Sequence, residues 1–234
     1  DAAAVEAVLV EHRDERARWV VVESCFSMDG DGPDLRALRA LCDEHDAGLI
    51  VDEAHALGVW GPSGGGRCAE AGVVPDALIG TLGKAVGTQG AFVAGSERLR
   101  TFLWNEARSF VFSTATSPRL AELSLLHVER VKSADGLRAT LRQHSRELRG
   151  ALRDHGLSPT PGLDGPIVPL VVGDNERVLA VVSQLERAGI LAQGIRPPTV
   201  PAGTARLRFT ACAAWPDGAG TRVADAVSTA LHAR

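Results

Sequence analysis

Short, nearly all-apolar runs alternate with helical patterns along the first hundred residues, and this alternation narrows the possible folds more than any other feature. Residues 18–24 (RWVVVES), 48–52 (GLIVD) and 77–81 (ALIGT) read as buried strands. Residues 2–12 (AAAVEAVLVEH) read as an amphipathic helix, and 34–46 as a second helix entered through Pro33 and Asp34 of DGDGPD. A Gly-rich loop follows at 61–66, and a further apolar segment at 90–94. Strands this apolar, interleaved with helices, predict an α/β fold with a parallel or mixed sheet covered on both faces. From 118 to 155 the pattern is helical, with an interruption near 133–136. Beyond it, strands at 166–172, 190–195 and 205–211 and helices at 175–188 and 217–231 set up a second αβ rhythm. The expectation is two domains, residues 1–130 and a smaller one at 131–234.

Composition removes several function classes. A net charge of −4 gives no electrostatic footprint for nucleic acid or an anionic membrane. No apolar run approaches membrane-spanning length, and the first residues lack the basic start and hydrophobic stretch of a signal peptide. Cys25, Cys42, Cys68 and Cys212 are scattered, without a CxxC pair or a histidine at zinc-ligand spacing. No metal site is expected, and isolated thiols fit a reducing cytoplasm. The chain has no tyrosine and only two lysines, Lys84 and Lys132. Any imine-forming side-chain amine is one of these two.

Ligands of open α/β sheets sit beyond the carboxyl ends of strands. That rule selects Ser27, Asp52 to His55, and Thr81 to Lys84. Lys84 lies in TLGKAVG, among small residues just after a strand, where desolvation would make its amine nucleophilic. The alternative is a loop lysine reaching for water. Lys132 follows Glu129 and Arg130 and reads as a solvated helix residue. Asp52 ends a buried strand, where a charge needs a partner. A protonated pyridine nitrogen is one such partner, and a carboxylate there keeps the ring cationic and electron-withdrawing. His55, three residues on, is placed for the ring face or its phenolic oxygen; the alternative is a core histidine at a capped strand end.

The same VDEAH letters also fit the Mg-binding motif of a DEAH-type NTPase. That reading needs an upstream GxxxxGK[ST] loop, and the chain's one Gly–Lys pair, Gly83–Lys84, lies downstream with Ala85 after it. Ser27, Thr81, Ser113 and Thr114 offer hydroxyls to a cofactor, though each alone is more often a structural hydroxyl. In RPPTVPAGTARLR (196–208), Arg196, Arg206 and Arg208 offer planar forks for carboxylates. Alternation puts Arg206 and Arg208 on one strand face; the alternative is surface charge on an edge strand.

In their order along the chain, ESCFSMDGD, LIVDEAHALGVWGPSGGGR, GTLGKAVG, FVFSTATSP and IRPPTVPAGTARLR resemble the α-oxoamine synthases. These are fold-type I pyridoxal-phosphate (PLP) enzymes that join an amino acid to an acyl thioester with loss of carbon dioxide. The resemblance implies a fold-type I PLP-transferase, with part of the large mixed-sheet domain followed by a small C-terminal α+β domain. RPPTVPAGTARLR is most like the branch that condenses L-alanine with pimeloyl-CoA or a pimeloyl carrier protein to 8-amino-7-oxononanoate in biotin synthesis. 5-Aminolevulinate synthase, glycine acetyltransferase and serine palmitoyltransferase differ in this segment.

The resemblance implies that Lys84 forms the Schiff base and then transfers protons, and that Asp52 pairs with the pyridine nitrogen. It puts His55 and Ser27 on the ring-oxygen side, Thr81 on the phosphate, and Ser113 and Thr114 at the interface of a cytoplasmic homodimer. Thr199, Arg196 and Arg208 would contact substrate, Arg208 through the amino-acid carboxylate. The family's front portion, with its glycine-rich segment and ring-stacking histidine, has no match here. The expectation is therefore half a site, and an inactive folding unit is the alternative to an enzyme.

Overall fold

The computed structural model describes residues 1–233 of the 234-residue chain. They divide into two compact units: residues 1–25 with 32–135, and residues 26–31 with 136–234.

In the first unit, α1 (Ala2–Glu11) precedes β1 (Trp19–Glu23), α2 (Leu35–Glu44) and β2 (Gly48–Asp52). After a short 3-10 turn at Pro62–Gly64 come α3 (Arg67–Ala71), β3 (Ala77–Thr81), β4 (Ala91–Gly95), α4 (Glu97–Glu106), α5 (Arg108–Val111) and α6 (Pro118–Lys132). The sheet order is β1-β2-β3-β4, parallel except for the antiparallel β3–β4 pair, so the sheet is mixed as expected. In α2, Asp34 caps the first turn by accepting from the amides of Arg36 and Ala37, and Leu35, Leu38 and Cys42 recur at helical spacing. That stripe meets Leu49 and Val51, the buried residues of β2, with Leu9, Cys68 and Val73 completing the core.

The other face of this sheet departs from the expectation. Trp19 and Val21 of β1 are 59% and 68% exposed, and every residue of β4 is exposed. β1 is thus an apolar edge strand rather than a buried one, and within this unit the helices cover one face only.

The second unit begins its own run in α7 (Asp135–Asp154) and continues through β5 (Ile167–Gly173), α8 (Asn175–Arg187), β6 (Gln193–Ile195), β7 (Ala205–Thr210) and α9 (Ala219–His232). Its three strands run antiparallel in the order β5-β7-β6. Alternation along β7 sends Ala205, Leu207 and Phe209 into a core shared with Leu148, Leu170, Val181 and Val227. Arg206 and Arg208 take the opposite face. β7 is the central strand, which corrects the edge-strand alternative for these arginines: both flanks of their backbone are hydrogen-bonded.

Candidate active site

The parallel strands of the first unit all end at one edge of its sheet, and the register shows which side chains share a face there. Asp52 pairs with Ile79, and Thr81 follows two residues later, so Asp52 and Thr81 point to the same, helix-free face. Asp52 is half-buried, and its Oδ1 accepts from the Ala54 amide at 2.7 Å. Its second oxygen has no hydrogen bond to any described residue. The half-buried His55 lies in the turn that follows.

Lys84 occupies the loop between β3 and β4. Its surroundings differ from the desolvated setting expected of it: Lys84 is exposed, and Val86 is the loop's buried residue at 4% exposure. The loop stands out beyond the strand ends, and its one apolar anchor turns inward while the lysine turns out. Lys132 is held elsewhere, its Nζ donating to both Glu129 carboxylate oxygens at 3.0 Å. The two amines are therefore not equivalent. Thr81 Oγ1 lies 3.3 Å from Gly90 O and accepts from the Gly83 amide at 3.2 Å, so this hydroxyl helps build the lysine's own loop. Ser113 and Thr114 are exposed in the segment after α5, and Ser113 Oγ donates to Ser109 O.

The remaining sequence-selected residues lie in the second unit. Arg208 Nε donates to Ser27 O at 2.6 Å, and its Nη1 donates to Gln193 Oε1 at 2.9 Å, fixing the plane of the guanidinium. Ser27 and Arg208 are thus brought together by a main-chain contact. Arg196 and Thr199 are exposed, and the Thr199 amide donates to Arg196 O. Arg206 is 5% exposed and tied to Asp29 and Thr204, which makes it part of the unit's framework.

Within the strand-end stretch 52–55, the sequence assigns Glu53 no role of its own. Glu53 has no exposed surface, and its carboxylate accepts from Ser24 Oγ at 2.9 Å, the Arg67 amide at 3.0 Å and the Cys68 amide at 2.6 Å. Glu53 joins the end of β1 to the start of α3 directly behind Asp52. Burial pushes the Cys68 thiol well above its ordinary range, and the neighbouring Glu53 carboxylate adds to this. The signal for Glu53 was strand parity: adjacent carboxylates at a strand end face opposite ways, so one of the two had to point at the helices. Among the described residues no cluster of His, Cys, Asp and Glu is arranged to hold a metal ion.

The chain is 44% identical over 217 residues to the 8-amino-7-oxononanoate synthase of Marinobacter nauticus, covering 92% of this chain and 54% of that protein. It is 45% identical over 214 residues to the synthase of the same name from Geobacter metallireducens, covering 90% and 54%. The chain thus spans about half the length of the curated relatives it matches. Among solved structures, a serine palmitoyltransferase of Sphingomonas wittichii superposes with a TM-score of 0.92 at 29% identity, over 98% of this chain and 58% of that one. An 8-amino-7-oxononanoate synthase from Francisella tularensis shares the fold, with a TM-score of 0.81 at 23% identity, over 94% of this chain and 65% of that one.

The expected fold-type I PLP-transferase architecture and the likeness to α-oxoamine synthases are both borne out, and the DEAH-type NTPase alternative falls. The Aminotransferase class I and II profile matches residues 1–227, and the chain belongs to that family.

Proposed function

We propose that this chain carries the lysine-bearing part of a cytoplasmic, PLP-dependent C-acyltransferase. The reaction condenses L-alanine with pimeloyl-CoA, or a pimeloyl carrier protein, to 8-amino-7-oxononanoate, releasing the thiol carrier and carbon dioxide. One observation supports this reading most: of the chain's two lysines, only Lys84 follows a strand end beside Asp52, while Lys132 is held by Glu129. The 44–45% identity to synthases of that name supports the substrate pair.

The residues present suit pyridoxal phosphate. An amine, a carboxylate with an unengaged oxygen and a hydroxyl stand at neighbouring strand ends, and Asp52 and Thr81 share one sheet face. When bound, the cofactor supplies an electron sink for the pair left as a Cα bond breaks. Lys84 would hold the cofactor through its amine, and the freed amine would be the group that takes up and returns a proton at the substrate Cα. Asp52 would pair with the ring nitrogen, where its negative charge would favour the protonated ring. By the family resemblance, His55 and Ser27 would serve the ring-oxygen side, Thr81 the phosphate, and Arg208, with Arg196 and Thr199, the substrate carboxylate.

The protein acts as a homodimer in this reading. Phe102, Trp104, Phe110 and Phe112 are 60%, 67%, 53% and 79% exposed within eleven residues, ending beside Ser113 and Thr114. An apolar group of that size fits a second copy, which would bring Ser113 and Thr114 to the partner's site.

The test is to add pyridoxal phosphate, reduce with borohydride and map the labelled peptide. Label on Lys84, together with thiol release from pimeloyl-CoA that depends on L-alanine, is the expected result. Label on Lys132 alone, or no label, would overturn the cofactor assignment. Faster thiol release with glycine or serine than with alanine would replace the substrate.

A further inference from the structure

The loop that carries Lys84 is gripped from outside by one face of α6. Within the loop, the Leu82 amide donates to Gly90 O at 2.9 Å, Thr88 N to Leu82 O at 2.8 Å, and Gly87 N to Lys84 O at 3.0 Å. These bonds close the turn but leave the Val86 carbonyl without a loop partner, although the Val86 side chain is buried. His127 supplies that partner: its Nδ1 lies 2.8 Å from Val86 O. A carbonyl only accepts, so Nδ1 carries the proton. One turn earlier on the helix, Ser124, 9% exposed, places Oγ 3.1 Å from Thr88 Oγ1 and 2.8 Å from Leu120 O. Leu120, Ser124, His127 and Val131 fall at helical spacing on one face. Behind the turn, Gly58 leaves room for Ala85; a Cβ on Gly58 would stand 2.8 Å from the Ala85 Cβ. None of this is needed to close a hairpin, and all of it converges on residues 84–88.

We propose that His127, seconded by Ser124, is a positioning residue for Lys84: its Nδ1–H bond to Val86 O holds the turn in the conformation from which the lysine amine reacts. The inference rests on the assignment of Lys84 as the cofactor-binding amine. The exposed Lys84 gains its orientation from the backbone beneath it, and this histidine satisfies Val86 O, an acceptor that the turn's own bonds leave open. His127→Ala removes the donor. His127→Asn returns an N–H near the Nδ1 position and is the conservative replacement.

Two readouts decide the matter. In cofactor-free protein, amide hydrogen exchange of the 82–90 peptide should quicken in His127→Ala by about fivefold or more, the factor for roughly one lost hydrogen bond. After pyridoxal phosphate is added, borohydride trapping at Lys84 should slow by a similar factor, about fivefold. His127→Asn should bring both to within about twofold of the parent protein. Trapping at the parent rate in His127→Ala, even with faster exchange, would overturn the proposal, because His127 would then hold the turn without orienting the amine. Failure of His127→Asn to restore trapping would overturn it too. If His127→Ala does not unfold cooperatively, Thr88→Val cuts the Ser124 contact and is read by the same two measurements. A parent protein that traps nothing at Lys84 overturns the cofactor assignment, while the exchange arm still reports whether His127 holds the turn.

Discussion

Glu53 shows how much of a site a single carboxylate can organise without touching a ligand. Its two oxygens take three donors, Oε2 from Ser24 and the Arg67 amide and Oε1 from the Cys68 amide. Gly66 approaches so closely that a Cβ there would stand 2.5 Å from Oε2. Glu53→Gln keeps the shape but has a single acceptor oxygen, so an amide NH2 must face either the Cys68 N–H or the Arg67 N–H. The cost of such an unmet buried donor is about 1–3 kcal/mol. The expected outcome is a lower thermal midpoint, and an unchanged midpoint would show that Glu53 is not the tie between β1 and α3. Asp52 and Glu53 also mark where residue-level reading stopped. A charge ending an apolar strand identified Asp52, because no apolar environment holds it without a partner. Glu53, inside the same selected stretch, has no role legible there because its partners are a serine and two backbone amides, which have no letter pattern of their own. The exposure of Lys84 was missed for a related reason: TLGKAVG lists small neighbours but does not say which of them turns inward.

At the scale of elements, the strands were legible because their apolar runs end abruptly: 48–52 and 77–81 match β2 and β3 residue for residue. α4 and α5 were not: both are short and bury no residue, although Leu99, Phe102 and Leu103 of α4 stand at helical spacing. α3 was lost as five residues inside a Gly-rich stretch. Element placement also rests on polar ties, of which Asp76 is the clearest. Its Oδ2 accepts from the Leu49 amide at 2.7 Å and from Arg39 at 2.8 Å, joining the approach to β3 with both β2 and α2. Burial pulls the Asp76 carboxyl upward, but the hydrogen bonds from Arg39 and Leu49 and the Arg39 charge outweigh it, and the net shift is downward. A carboxyl lowered on folding stabilises the fold above its unfolded value, near pH ~4, and loses that contribution as pH falls through the folded value. Asp76→Asn should therefore cost roughly 1 kcal/mol near neutrality, a figure held down by the half exposure of the side chain. The gap from the parent should close as pH falls past the unfolded value and through the lowered folded one. Urea unfolding across that range checks it: a gap that stays constant with pH would mean that the charge of Asp76 contributes nothing.

Across the whole molecule, the chain does not deal out its two units in sequence. It leaves the first after Cys25, gives Phe26–Asp31 to the second, and returns to the first at Gly32. The DGDG stretch, which reads as a plain turn, is in part a structural component of a unit whose other residues start more than a hundred positions later. The link is electrostatic. Arg206, on the central strand of the second unit with a side chain 6% exposed, is paired with Asp29, whose side chain is 45% exposed. A buried guanidinium is costly once its counter-charge is removed, whereas removing the charge itself while keeping the bulk costs little. Asp29→Asn should accordingly destabilise the second unit by on the order of 2 kcal/mol, less than for a fully buried pair because solvent reaches Asp29. Arg206→Met should cost under about 1 kcal/mol, since the Thr204 and Met28 acceptors it leaves can be met by water and the aliphatic stem is replaced. Because two units need not unfold together, the comparison is best made by amide exchange of the β5, β6 and β7 peptides. Faster exchange in Asp29→Asn than in Arg206→Met would show that residues 26–31 are held by the need to neutralise Arg206. The reverse order would show that the arginine's own hydrogen bonds, and not its charge, draw this early segment into the second unit.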